Sequence, residues 1–268
     1  MRKIDKCAKL KTMYLFHILH NKMESDGTVQ KRSRTAAPIL DRFYNNPPHL
    51  CELSIDEAGR GCLFGRVYIA CVVLPTDPSA FSGKDIKDSK KFSSKKKLNE
   101  VATYIKDHAL AWHVAYLDAN VVDNVNILKA VMQGMHECIR ETIIKMNTNL
   151  SLSDFMAVID GNYFTPYIAF DENTQSLQQL SHVTVEKGDG KYMAIAAASI
   201  LAKTSRDNYV LDMCEKYPIL CERYGLDTNM GYGTKTHMDG IQNYGITQWH
   251  RKSFGPCKSA IIANIDEV

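Results

Sequence analysis

Residues 51–61, Cys51-Glu52-Leu53-Ser54-Ile55-Asp56-Glu57-Ala58-Gly59-Arg60-Gly61, decide the architecture. Leu53-Ser54-Ile55 reads as a buried strand, two acids follow at its end, and Gly59-Arg60-Gly61 breaks it. Downstream, Val67 to Leu74 is a second β-rich run closed by Pro75, and Ala111 to Leu117 is a third. Asn126 to Lys145 then carries apolar residues at helical spacing, among them Ile127, Val131, Met135, Cys138 and Ile139. Phe155 to Ile159 is a fourth strand, ending at Asp160-Gly161-Asn162. Val183-Thr184-Val185 is a fifth, running into Lys187-Gly188-Asp189, and an Ala-rich helix follows from about Tyr192 to Lys216. Three strands, a helix, then strands separated by helices describe an α/β fold built on a mixed sheet.

Three of these strands end in acids: Ile55 runs into Asp56-Glu57, Ile159 into Asp160, and Val185-Glu186 towards Asp189. Ligands of α/β sheets gather beyond the carboxyl ends of strands. The glycines that follow, Gly59, Gly161 and Gly190, let the chain turn away and leave each carboxylate at the sheet edge. Taken singly, each acid reads as a turn former, a helix cap or a solvated charge. If the three strands are neighbours, however, four carboxylates crowd one place. Two of them about 4 Å apart repel by about 4 kcal/mol at an effective dielectric of roughly 20. No local basic residue supplies enough fixed charge to cancel that. Hard divalent cations do, and Mg²⁺ or Mn²⁺ suits an all-carboxylate set better than zinc. Adjacent strand residues point to opposite faces, so Asp56 and Glu57 are expected to share a site only if the backbone leaves extended geometry at Ala58-Gly59.

The 268 residues have an ordinary globular composition, which excludes a wholly disordered or collagen-like chain. No apolar run is long enough to span a bilayer, so no membrane partner is expected. The net charge of +3 hides an asymmetry. Residues 1–48 hold ten Lys/Arg against four Asp/Glu, whereas residues 49–268 hold 23 against 26. Residues 1–48 therefore read as a basic extension without fixed structure, either an arm that strengthens nucleic-acid binding without reading sequence or simply a solvated tail. Within it, Lys11 to Lys22 has the pattern of a short amphipathic helix, and Asn45-Asn46-Pro47-Pro48 reads as a linker. Its acids Asp5, Glu24 and Asp26 argue against a transit peptide. Eight cysteines without a C-x-x-C pair suggest reduced thiols and a cytoplasmic location.

Basic residues accompany the acids. Asp88-Ser89-Lys90-Lys91 opens a charged stretch that continues through Lys95-Lys96-Lys97. On the Ala-rich helix, Lys203 and Arg206 lie three apart and share a side. Met230-Gly231-Tyr232-Gly233-Thr234-Lys235, with His237, sets an aromatic between glycines, and His250 to Pro256 adds Arg251 and Lys252. Cations beside such an aromatic suit phosphates and a stacked sugar or base. Each piece alone is equally a charged helix face or a Gly-rich loop.

Together these blocks resemble type II ribonuclease H, the bacterial and archaeal form. The resemblance covers roughly Cys51 to Pro256 and rests on six ordered blocks: Asp56 to Gly61, Asp88 to Lys91, Ile159 to Asn162, Lys187-Gly188-Asp189 running into Ala196–Asp207, Gly231 to Thr234 with His237, and His250 to Pro256. It implies a ribonuclease H-like five-stranded mixed sheet with flanking helices, a catalytic domain over 49–268 and a helical substrate-binding part from about 217. It also implies endonucleolytic cleavage of the RNA strand in RNA–DNA hybrids, including single ribonucleotides embedded in duplex DNA. By resemblance Asp56, Glu57, Asp160 and Asp189 are the catalytic, metal-binding carboxylates, holding two ions of Mg²⁺ or Mn²⁺. Gly59, Arg60, Gly61 and Tyr232 contact the substrate, and Lys90, Lys203 and Arg206 are candidate phosphate contacts. Two metals suit in-line phosphodiester hydrolysis, which leaves a 3′-hydroxyl and a 5′-phosphate.

The chain departs from the family pattern in places. Residues 163–182 read as a longer or variant linker before the fifth strand, and Asn229-Met230 stands where basic residues are expected. The tail Ile265-Asp266-Glu267-Val268 shows no clamp-binding peptide, and a monomer is expected. A duplex-binding protein without catalysis is disfavoured by the intact acidic set. A resolvase or a type I ribonuclease H is disfavoured by the Gly-Arg-Gly and Gly-Tyr-Gly blocks.

Overall fold

The computed structural model describes residues 40–45, 48, 50–172 and 174–263. The segment Lys11 to Lys22 and the tail from Asn264 lie outside them. Strands β1 (Cys51–Ala58), β2 (Val67–Val73), β3 (Ala111–Leu117), β4 (Phe155–Asp160) and β7 (Ser181–Val185) form one sheet in the order β3-β2-β1-β4-β7. The β1–β2 and β2–β3 pairs are antiparallel, while β1–β4 and β4–β7 are parallel. The mixed sheet read from the sequence is therefore present, and the carboxyl ends of β1, β4 and β7 lie side by side. Among the described residues no helix is long and apolar enough to cross a membrane.

Both faces of the sheet are covered, which is why β2 is apolar at every position. Its Val67, Ile69, Cys71 and Val73 pack in the cluster built on helix α3 (Ile127–Met146), while Ala70, Val72 and Leu74 pack in the cluster built on the Ala-rich helix α4 (Met193–Lys216). Helix α3 lies close because Gly134 faces Ile69 and Leu117, where any Cβ would collide. Helix α1 (Lys95–His108) covers α4, burying Leu98, Val101, Ala102 and Ile105. The short helix α2 (Ala119–Val125) leads into α3. A third cluster joins the C-terminal half of α4 to helices α5 (Ile219–Tyr224), α6 (Leu226–Asn229) and α7 (Lys235–Tyr244). Leu63 and Phe64 belong to this cluster, so the turn after β1 is tied to the C-terminal helices.

Two expectations need correction. Residues 40–45, assigned above to the extension, are strapped to the fold. Arg42 donates to the carbonyls of Pro75 (2.7 Å) and Phe81 (2.8 Å), and Phe43 is buried in the α4-side core. The buried Glu52 carboxylate accepts the backbone N–H groups of Tyr44 and Asn45 at 2.9 and 2.8 Å. The packed domain thus begins by residue 40. Residues 163–182, read as a linker, contain a hairpin of β5 (Ile168–Asp171) and β6 (Ser176–Gln179). Its Ile168, Phe170 and Leu177 are exposed, so the strands lack the buried alternation that identifies a strand in sequence.

Candidate active site

Parallel pairing of β1 with β4 ends at Ile55↔Ile159, whereas antiparallel pairing with β2 continues through Ala58↔Tyr68. The strands separate at Asp56 on one side only. Asp56 and Glu57 therefore both line one cleft of about 260 Å³ although β1 stays extended to Ala58. This corrects the expectation that the backbone must leave extended geometry for the two to meet. The break comes one residue later, at Gly59, whose φ is +88°. A Cβ on Gly59 would lie 3.1 Å from the Arg66 carbonyl, so the turn needs glycine for conformation and for space. A Cβ at Gly61 would meet nothing within 4 Å, which leaves room at the cleft for another molecule.

Asp160, at the end of β4, lines the same cleft, and its Oδ1 accepts the Gly188 N–H at 2.5 Å. That bond ties β4 to the turn Gly188–Gly190, which carries the buried Asp189. Asp189 stands beside the cleft lining and faces Lys90, with Nζ to Oδ2 at 3.5 Å. Burial, then the neighbouring Asp160 and Glu57, hold the Asp56 carboxyl well above the usual carboxylate range. Glu57 is raised by burial despite Arg60, whose Nη1 lies 3.4 Å away. Asp160 is raised by burial and by Asp189, against the hydrogen bond from Gly188. Lys90 is held above its ordinary value because Asp189, Asp88 and Asp56 outweigh the effect of burial.

The chemistry of these donors fits a hard divalent cation. All four are oxygen ligands, and three are disfavoured as anions by burial. Among the described residues no three Asp, Glu, His or Cys side chains form a ready ligand cage. Such an open set is what Mg²⁺ uses, since it binds through one or two carboxylates and completes its shell with water and substrate phosphate.

Gly59, Arg60, Gly61, Lys90, Lys203, Arg206 and Tyr232 also line the cleft. Lys90 and Arg60 keep well-exposed side chains, 79% and 51% accessible, while standing beside Asp189 and Glu57. Lys203 is engaged with Asp207 at 3.1 Å. Arg206 corrects the expectation of a phosphate contact, because it is buried at 3% exposure. Its Nη1 donates to the Met230 carbonyl at 2.7 Å, Nη2 lies 2.9 Å from Asp207, and its guanidinium stands 5.0 Å from the Tyr232 ring. It holds the tyrosine loop. Arg251, fully buried, does the same for the glycine turn, donating to the carbonyls of Arg60 and Gly65 at 3.0 Å each.

Sequence reasoning passed over two serines. Ser199 on α4 donates to Asp56, and its Oγ lies 3.0 Å from that of Ser89, so both hydroxyls belong to the cleft. Both fall inside quoted blocks, yet a small hydroxyl on a helix gives no sign that a carboxylate lies opposite.

A model of the family described as Ribonuclease HII matches residues 53–257. The chain belongs to the ribonuclease HII family. It is 43% identical over 203 residues to the ribonuclease HII of Parabacteroides distasonis, covering 76% of this chain and 89% of that protein. Among solved structures, the complex of ribonuclease HII with PCNA from Archaeoglobus fulgidus superposes with a TM-score of 0.56 at 24% identity, over 77% of this chain and 96% of that one. A ribonuclease HIII in complex with Mn²⁺ gives 0.55 at 16% identity, over 78% and 68% of the two chains. These two likenesses show the shared fold. Membership makes the protein a metal-dependent hydrolase with endoribonuclease activity on the RNA of RNA–DNA hybrids.

Proposed function

We propose that this ribonuclease HII cuts the RNA strand of hybrids and also acts at single ribonucleotides embedded in duplex DNA, leaving 3′-hydroxyl and 5′-phosphate ends. The observation that carries the reading is the shared cleft of Asp56, Glu57 and Asp160 with the glycine turn and Tyr232. Asp56, Glu57, Asp160 and Asp189 would hold two divalent ions, Mg²⁺ or Mn²⁺, which would supply the charge stabilisation that in-line phosphodiester hydrolysis needs. The chain's own groups do the rest. Ser199 orients Asp56, and the Gly188 N–H orients Asp160. Gly61 leaves its backbone open, so a ribose can come close enough for its 2′-hydroxyl, the group that distinguishes RNA from DNA, to be read by main-chain atoms. Tyr232, 43% exposed and backed by Arg206, packs on the neighbouring deoxyribose and marks the RNA-to-DNA junction. Lys90 and Lys203 meet phosphates beside the cut.

The test is substitution of one ligand at a time. Asp56→Asn and Asp160→Asn are expected to abolish Mg²⁺-dependent cutting and to leave hybrid affinity near that of the unaltered protein, because the exposed cations remain. Near-normal turnover in either variant contradicts the ligand assignment.

A further inference from the structure

Residues 84–97 carry seven lysines against two aspartates. The remainder of residues 49–268 holds 16 Lys/Arg against 24 Asp/Glu, so an acidic body concentrates its positive charge in one fourteen-residue stretch. All seven lysines are exposed. Lys97 pairs with Asp85 at 2.8 Å, Lys91 with Asp88 at 3.8 Å, and Lys90 with Asp189. Among the described residues no carboxylate lies within ion-pair distance of Lys95 or Lys96. The Lys95 Nζ reaches only the Asp227 carbonyl, at 3.5 Å.

The fold does not account for these two charges. Lys95, Lys96 and Lys97 fill the first turn of α1, which contains no acidic residue. Cations there oppose the helix dipole, which favours anions at that end. The helix packs through Leu98, Val101, Ala102 and Ile105, which places no demand on positions 95 and 96. Their position, by contrast, is informative. Lys90 stands at the cleft, and Lys95 touches α6, whose last residue precedes the Met230–Tyr232 loop. The lysines thus run from the carboxylates to the helices that carry Tyr232.

We propose that Lys91, Lys95 and Lys96 form a phosphate track that holds the duplex beyond the cleft, independently of base sequence. The repulsion among these lysines and with the α1 dipole is relieved when phosphates lie on them, and a regularly spaced polyanion is the partner that meets several at once. The proposal rests on the hybrid-duplex reading of the cleft, and its test separates the two.

The full chain and its Lys95→Gln/Lys96→Gln variant are titrated with an RNA–DNA hybrid in the presence of chelator, at a series of KCl concentrations. Two lost phosphate contacts should flatten the slope of log affinity against log salt by about 1.8. The kcat on saturating hybrid with Mg²⁺ should stay unchanged while KM rises, and the melting temperature should rise, since a charge conflict is removed from the helix. Lys129→Gln, an exposed lysine on α3, should leave the slope as it is. A slope unaltered by the double substitution, or altered equally by Lys129→Gln, overturns the track and leaves the hybrid reading standing. Absence of any hybrid binding or cutting by the unaltered chain overturns both.

Discussion

At the scale of single residues, the cleft is held by buried polar groups whose protonation the hydrogen bonds dictate. The Nε2 atoms of His237 and His250 face each other at 3.0 Å. The Tyr232 carbonyl can only accept, so Nδ1 of His237 carries its hydrogen, at 3.0 Å. The Thr247 N–H can only donate, so Nδ1 of His250 is bare, and its Nε2–H is given to His237. Both rings are neutral. Burial and then His237 lower the His250 pKa from 6.5 to about 3. The unfolded chain therefore binds a proton that the native state refuses. His250 costs nothing above pH 6.5, and stability falls as the pH drops from there towards 3. By pH 5 this amounts to about 2 kcal/mol. Comparing urea unfolding of the protein and of His250→Gln at pH 7 and pH 5 should show their stability gap narrowing by about that much in acid; a gap independent of pH contradicts the assignment. Tyr232, whose carbonyl ends this chain of bonds, gives a second expectation. Tyr232→Ala should slow cutting at a lone ribonucleotide more than in a long RNA tract, because only the former always presents a junction. Equal losses count against the junction role.

At the scale of elements, what was legible in the sequence followed burial. Strands β1, β2, β4 and the helices α3 and α4 bury their apolar residues on the sheet, and each shows its period or its continuous apolar run. The acids at the ends of β1 and β4 were legible because a charge closing an apolar run is conspicuous. Helix α1 was not, since its lysine-rich first turn hides the apolar positions at 98, 101, 102 and 105. The β5–β6 hairpin escaped because its apolar side chains face outwards. The strap at 40–45 was missed for a different reason: Asn46-Pro47-Pro48 signals a linker, and nothing local reveals that Arg42 docks on carbonyls more than thirty positions away or that Phe43 joins the α4-side core. The strap should contribute to stability as any core element does. Phe43→Ala removes a ring that is 3% exposed and is expected to cost about 3 kcal/mol, read as a lower midpoint in denaturant with kcat preserved. An unchanged midpoint would return residues 40–45 to the status of an extension.

At the scale of the whole molecule, the architecture brings together chemistry that is far apart in the chain. The parallel β1–β4–β7 core aligns carboxylates from positions 56, 57 and 160 and sets 189 beside them. The C-terminal helices, tied back through Leu63, Phe64 and Arg251, carry Tyr232 into the lining of the same cleft. In the proposed function, cutting and ribose recognition share this one opening. That reading is tested most directly by incubating the protein with a DNA duplex that holds one ribonucleotide, with Mg²⁺, Mn²⁺ or chelator, and mapping the product ends at nucleotide resolution. The expected result is a single cut beside the ribonucleotide, with 3′-hydroxyl and 5′-phosphate termini, present with either metal and absent with chelator. Cuts scattered through the deoxyribose tract, or cleavage that persists in chelator, would contradict it.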